Sequence, residues 1–161
     1  MNFIEKAHFT QEDEVSCVPA SLAMVLSVYD KDVSQSELKN YMGTTESGTQ
    51  VEVVWERLPF ERWKLQYHRR FGCSLEDLEN ELAKGVPPIV FIVSSFLPHS
   101  DKDFLHAVVI VGLDRESVYM NDPLLEEPSP FKMELRVFQE AWQWYNYCMI
   151  SVFPQAVANS S

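Results

Sequence analysis

Positive charge and long apolar runs are both scarce in this chain of 161 residues. Thirteen Lys and Arg residues stand against twenty-four Asp and Glu residues, which gives a formal net charge of −11. An acidic balance of this size argues against nucleic acid or an anionic membrane surface as a partner. Apolar runs such as 89–93 and 107–111 are strand-sized, whereas a helix needs about 20 residues to cross a bilayer. We therefore expect no membrane insertion.

Cysteine is also rare, and its spacing excludes two common roles. Cys17, Cys73 and Cys148 are an odd number of widely separated residues, which does not make a disulfide framework. The Cys and His residues are not clustered as a zinc site requires. Residues 1–10 lack the basic start and apolar block of a signal peptide. We expect a cytoplasmic location, and neither a metal nor a cofactor.

The apolar content is high enough for one compact domain. Apolar residues make up 46 % of the chain and aromatic residues 12 %, so residues 1–155 are expected to form a single domain and 156–161 a disordered tail. Apolar spacing and the capping residues Ser34 and Ser74 predict helices early in the chain, and apolar spacing predicts another over 51–58 that ends at Pro59. Strands are predicted mainly after residue 89. This segregation indicates an α+β fold, an N-terminal helical half packed on a mostly antiparallel C-terminal sheet.

Cys17 lies at the predicted start of an apolar helix. Pro19 suits the first turn of that helix, because a helix leaves the N–H groups there without partners. The unpaired N–H groups and the positive end of the helix dipole favour a thiolate over a thiol. Cys17 is therefore a candidate nucleophile, although a small buried apolar residue is the commoner role of a free cysteine.

His106 and Asp122 lie on the two strands of a predicted hairpin. If the chain turns at Arg115 and Glu116, Asp122 falls within two or three positions of the point opposite His106. A carboxylate there would orient the imidazole and stabilise its protonated form. A one-residue bulge would reverse the face on which Asp122 lies. The alternatives are a structural histidine and an ordinary turn at residues 121–123.

Gln11 lies six residues before Cys17 and could supply an oxyanion donor. Its side-chain amide would act together with the backbone N–H of Cys17. A glutamine in a polar loop is more commonly only solvated.

The remaining candidates have weaker surroundings. His99 is the second choice of base, although a solvated loop histidine is the more ordinary interpretation. His8 could line the same site, and His68 beside two arginines is expected to be exposed. Cys73 and Cys148 are expected to be structural thiols.

Three ordered motifs resemble those of a known family. They span residues 11–26, 106–114 and 118–123, and a Phe-x-x-x-Trp pair follows at Phe138 and Trp142. The chain resembles the peptidase domains that process bacteriocins, members of the papain-like cysteine peptidase clan. Ser16 and Val18, beside Cys17, are often Asp and Gly in that family. Neither difference removes a catalytic group.

The resemblance implies a role for each candidate. Cys17 would be the nucleophile, His106 the base, Asp122 the orienting residue and Gln11 the oxyanion donor. A papain-like fold and hydrolysis of a peptide or protein substrate through an acyl-enzyme would follow. Family members that cut double-glycine leaders are usually fused to an ABC transporter. Without a membrane segment we expect a stand-alone peptidase, and a separate transporter or regulatory partner stays open. The alternatives are a catalytically silent peptide-binding module and an acyl transferase or deamidase with the same triad.

Overall fold

The computed structural model describes residues 3–128 and 130–156. The four α-helices are α1 (Cys17–Val28), α2 (Gln35–Met42), α3 (Leu75–Ala83) and α4 (Leu135–Trp142). The six strands are β1 (Leu65–Arg70), β2 (Ile89–Val93), β3 (Leu105–Leu113), β4 (Ser117–Asn121), β5 (Phe131–Glu134) and β6 (Met149–Pro154). Short 3₁₀ turns occur at Val54–Arg57, Ser94–Phe96 and Gln143–Tyr145.

The strands form one antiparallel sheet in the order β1-β6-β2-β3-β4-β5. Side chains of β3 alternate between its two faces, as strand geometry requires. Ala107, Val109 and Val111 join the apolar cluster that contains α1, whereas Val108 and Ile110 join the cluster that contains α4. The predicted α+β fold is confirmed. The structure adds a second helical layer, because α3 and α4 cover the face of the sheet opposite α1 and α2.

Three helix ends follow the capping rules that the sequence indicated. The Ser34 side chain accepts a hydrogen bond from Glu37 N–H at the start of α2, and Gly43 ends that helix with a φ of 64°. Ser74 and Asp77 form a reciprocal capping box at the start of α3. Local sequence therefore determines where these helices begin and end.

The helix predicted over residues 51–58 is wrong, since this segment contains only the 3₁₀ turn Val54–Arg57. Val51, Val53 and Val54 are β-branched, and their restricted rotamers disfavour a continuous helix. The Trp55 indole N–H donates to the Val51 carbonyl oxygen over 2.7 Å. The apolar pattern that indicated a helix instead buries Val51, Val54 and Trp55 in the core.

Of the predicted disordered tail, residues 157–161 lie outside the described part of the chain, and Ala156 has no regular structure. Within the described ranges, no helix is both long enough and apolar enough to cross a membrane.

Candidate active site

A β-bulge determines how the two strands of the predicted hairpin face each other. Near the turn, Gly112 pairs with Tyr119, but beyond the bulge Val109 pairs with Asn121, so Val111 is an extra residue in β3. Continued by one residue, this register places Asp122 opposite Val108. Asp122 therefore lies on the same face as His106, two residues from Val108. Without the bulge the two side chains would lie on opposite faces.

His106 and Asp122 form a fully buried pair. The Nε2–H group of His106 donates to Oδ1 of Asp122 over 2.6 Å, and neither side chain has exposed surface. The backbone N–H of Leu124 also donates to Oδ1, over 2.9 Å. The other imidazole nitrogen, Nδ1, is buried and forms no hydrogen bond with the described residues. The pair thus fixes the ring and leaves one nitrogen available.

The electrostatic surroundings favour the charged forms of both side chains. Burial, the largest influence, lowers the pKa of His106, but Asp122 and Cys17 outweigh it and raise this pKa to about 9. Burial raises the pKa of Asp122, yet the hydrogen bonds from His106, Leu124 and His99 hold it below its usual value. Both shifts favour an imidazolium paired with a carboxylate.

Cys17 is the first residue of α1 and is half-buried beside His106. Ser16 precedes it, but the Ser16 hydroxyl does not cap the helix and instead donates to Oδ1 of Asp13 over 2.5 Å. No acidic side chain occupies the first turn of α1. The positive end of the helix dipole therefore remains directed at the thiol.

Gln11 belongs to an N-terminal arm, residues 3–16, that precedes α1 and turns at residues 12–15. Its backbone N–H donates to the Pro123 carbonyl oxygen over 2.8 Å, which ties the arm to the loop that follows Asp122. In the side chain, Nε2 donates to the Asp13 carbonyl oxygen over 2.7 Å. Oε1 is buried and has no partner among the described residues. One of the two Nε2 hydrogens is thus engaged locally, and the second is available.

His8 holds the same arm in place. Its Nε2–H donates to the Leu125 carbonyl oxygen over 2.7 Å, and its Nδ1 accepts from Nδ2 of Asn121 over 3.0 Å. Both ring nitrogens are occupied, so His8 attaches the arm and has no free nitrogen for chemistry.

His99 differs from the solvated loop histidine that the sequence suggested. Its side chain is only 19 % exposed, and its Nε2–H donates to Oδ2 of Asp122 over 2.6 Å. The ring also packs edge-on against Phe131, with 5.1 Å between ring centroids. No local pattern could reveal this contact, because His99 lies in an irregular loop 23 residues from Asp122.

The other thiols and His68 lie where the sequence placed them. Cys73 and Cys148 are buried and unbonded. Burial raises the pKa of both thiols, that of Cys148 to about 12. His68 is exposed on β1. Across residues 3–128 and 130–156, no cluster of His, Cys, Asp and Glu side chains could hold a metal ion.

Two adjoining cavities form a groove over this site. One, of about 570 Å³, is lined by Gln11 and His99, and the other, of about 430 Å³, is lined by Cys17. The residues that line both cavities are Glu14, Val15 and Phe104. The nucleophile candidate therefore lines one of two adjoining cavities, and the oxyanion candidate lines the other.

The chain resembles known peptidases in sequence. Residues 3–149 match the Peptidase_C39 like family. The Lactococcin-A transport/processing ATP-binding protein LcnC of Lactococcus lactis is 29 % identical over 123 residues, which are 76 % of this chain and 16 % of that protein. The chain thus spans less than a fifth of this relative.

Solved structures share the fold. The peptidase domain of Streptococcus ComA, a bifunctional ABC transporter, aligns with a TM-score of 0.72 and 22 % identity over 94 % of this chain and 99 % of that chain. A double glycine motif protease from an AMS/PCAT transporter, solved with its leader peptide, aligns with a TM-score of 0.70 and 21 % identity over 96 % and 95 %. The fold is that of a papain-like cysteine peptidase, and the chain belongs to the Peptidase_C39 like family.

Proposed function

We propose that the chain hydrolyses peptide bonds, with Cys17 as nucleophile and His106 as general base and acid. Asp122 orients the imidazole, and Gln11 helps to bind the oxyanion. The observation that carries this proposal is the buried bond between His106 Nε2 and Asp122, which leaves Nδ1 as the nitrogen for the neighbouring thiol. An imidazole beside a thiol is the arrangement by which a cysteine nucleophile is activated.

The reaction proceeds in two stages. The Cys17 thiolate attacks the scissile carbonyl carbon, and the carbonyl oxygen becomes an oxyanion. His106 gives its Nδ1 proton to the leaving amine, the C–N bond breaks, and a thioester joins the acyl group to Cys17. His106 then takes a proton from water, hydroxide attacks the thioester, and the Cys17 thiolate leaves with the imidazolium restored.

The oxyanion has two donors within the groove. The backbone N–H of Cys17 lies at a helix start that the Ser16 side chain does not cap. The free Nε2 hydrogen of Gln11 is the second donor, and the bond from Nε2 to the Asp13 carbonyl oxygen fixes the amide. One such donor contributes roughly 3 kcal/mol to transition-state stabilisation.

For the substrate we infer a leader peptide of the double-glycine type. LcnC is a transport and processing protein, and the AMS/PCAT protease was solved with a leader peptide. The groove extends on both sides of the segment formed by Glu14 and Val15, which suits an extended chain that crosses the site. We further propose that the described domain acts without a fused transporter.

Mass spectrometry tests the proposal. Purified protein is incubated with synthetic double-glycine leader peptides and with peptides from a cell lysate. We expect new chain ends with the wild-type protein and with Cys148→Ala, but none with Cys17→Ala. A mass increase of about one dalton, or a new amide without a cut, would assign deamidation or acyl transfer instead. Identical peptide patterns for the wild-type protein and Cys17→Ala would refute catalysis and leave a peptide-binding module.

A further inference from the structure

The two carboxylate oxygens of Asp122 are held in different ways. Oδ1 accepts from both His106 Nε2–H and the Leu124 backbone N–H, over 2.6 and 2.9 Å. Oδ2 accepts from His99 Nε2–H, over 2.6 Å. The Asp122 side chain has no exposed surface, so bulk water does not reach Oδ2. Without the His99 donor, a buried anionic oxygen would lose its hydrogen bond, which is costly.

The loop that carries His99 is itself fixed. The Ser94 hydroxyl donates to the Lys102 carbonyl oxygen over 2.7 Å and accepts from the Phe104 N–H over 3.0 Å. These bonds close the loop between β2 and β3 at its base. The His99 ring packs edge-on against Phe131 on β5. The bonds at the base of the loop therefore hold the segment that carries His99, and its N–H is directed at Asp122.

We propose that His99 is a positioning residue for this reaction. Its Nε2–H holds Oδ2 of Asp122, and this fixes the plane of the carboxylate so that Oδ1 stays aligned with His106 Nε2. The inference rests on the proposed function, because the alignment matters only if His106 transfers protons. His99 acts through Asp122 and need not touch the reacting atoms, even though it lines the larger cavity.

Three variants separate the hydrogen bond from the ring contact. His99→Phe keeps an aromatic ring against Phe131 but removes the donor. His99→Gln loses the ring, but its amide N–H reaches the position of Nε2. Phe131→Leu leaves His99 intact and removes the edge-on contact. Thermal melting of each variant verifies that it folds.

The first measurement is steady-state cleavage of a peptide that the wild-type protein cuts. We expect His99→Phe to lower kcat by about tenfold or more, the value of one charge-assisted hydrogen bond, with KM within about twofold. His99→Gln and Phe131→Leu should stay close to wild type. An unchanged kcat in His99→Phe would overturn the proposal. A raised KM with normal kcat would also overturn it, because His99 would then be a substrate contact.

The second measurement requires no activity. In the proton NMR spectrum, the hydrogen shared by His106 Nε2 and Asp122 should give a low-field signal that broadens or shifts in His99→Phe and persists in His99→Gln. The same signal in all variants would overturn the positioning role. If the wild-type protein cuts no peptide, the proposed function fails, and this signal alone decides whether His99 aligns the pair.

Discussion

The two walls of the candidate site are built in different ways. On the sheet side, His106 and Asp122 are fully buried and fixed by strand pairing. On the arm side, residues 12–14 are exposed. Ion pairs with Lys39 and Lys102, and a hydrogen bond from the Glu12 backbone N–H to Oε1 of Gln35, hold that segment. Exposed ion pairs contribute little to stability, whereas a broken buried pair is costly. Substitutions on the sheet side should thus change activity and stability together, and those on the arm should change activity alone.

The largest effect should come from Asp122→Asn. The variant keeps the shape of the side chain but removes the charge that stabilises the His106 imidazolium. We expect kcat to fall by up to about 10⁴-fold, the loss known for the equivalent change in a serine protease triad. Chemical denaturation should also show a loss of about 3 kcal/mol in the free energy of unfolding, because a buried pair loses one partner. A loss of activity below tenfold would contradict the role of Asp122.

The pH dependence of the wild-type protein follows from His106. Its pKa is about 9 in the folded protein and 6.5 in an unperturbed side chain, so the folded state binds this proton more tightly. The corresponding stability is fully present below about pH 6.5 and is lost as the pH rises through 9. The rate of cleavage should decline as the pH rises through the same range, because His106 then has no proton to give to the leaving amine. In Asp122→Asn both declines should move to lower pH.

Gln11→Ala should have the next largest effect and should test the arm side. We expect kcat to fall by roughly 10²-fold, which corresponds to the loss of one oxyanion donor, with a nearly unchanged unfolding midpoint. Thr10→Ala is the matched control. It removes a bond of the same arm to the Leu125 carbonyl oxygen and leaves the amide in place. Equal losses in the two variants would show that Gln11 only anchors the arm.

A smaller effect is expected in the alkylation rates of the three thiols. At neutral pH, iodoacetamide should alkylate Cys17 at least about tenfold faster than Cys73 or Cys148, which are buried and have raised pKa values. Peptide mapping after timed labelling gives the three rates. Equal rates would contradict an activated nucleophile.

The smallest effect should come from Lys39→Met. Lys39 pairs with Asp13 and Glu12 at the surface, so its loss should lower the free energy of unfolding by less than about 1 kcal/mol. Denaturation in low and high salt measures this difference, which salt should screen. A loss as large as that of Asp122→Asn would remove the contrast between the two walls.

Local signals in the sequence were enough for much of the fold. Ser34 and Ser74 marked helix starts because a cap depends on residues three positions apart. The hairpin that carries His106 was predictable because its strands are neighbours in the chain. The segment over 51–58 was not, since apolar spacing does not distinguish a helix from an irregular buried turn.

The candidate site was only partly predictable. The motifs placed Cys17 and His106 at the start of a helix and a strand, and the structure has both there. The bulge at Val111 and the bond from His99 to Asp122 depend on tertiary packing. Neither feature produces a periodic pattern of residues in the sequence. The roles of the four candidate residues stay predictions that the experiments above test.

The extra residue in β3 means that the face on which Asp122 lies depends on the register of the two strands. A shift by an odd number of residues reverses that face, and a shift by an even number keeps it. His106 and Asp122 are sixteen positions apart, and a single residue added within the paired part of the return strand would shift that strand by one step and point the carboxylate away from the ring. Two added residues would return the Asp122 carboxylate to the same face as the His106 ring. A designer who lengthens this hairpin must therefore keep the added residues within the turn, add them to the paired strand in steps of two, or compensate with a second bulge.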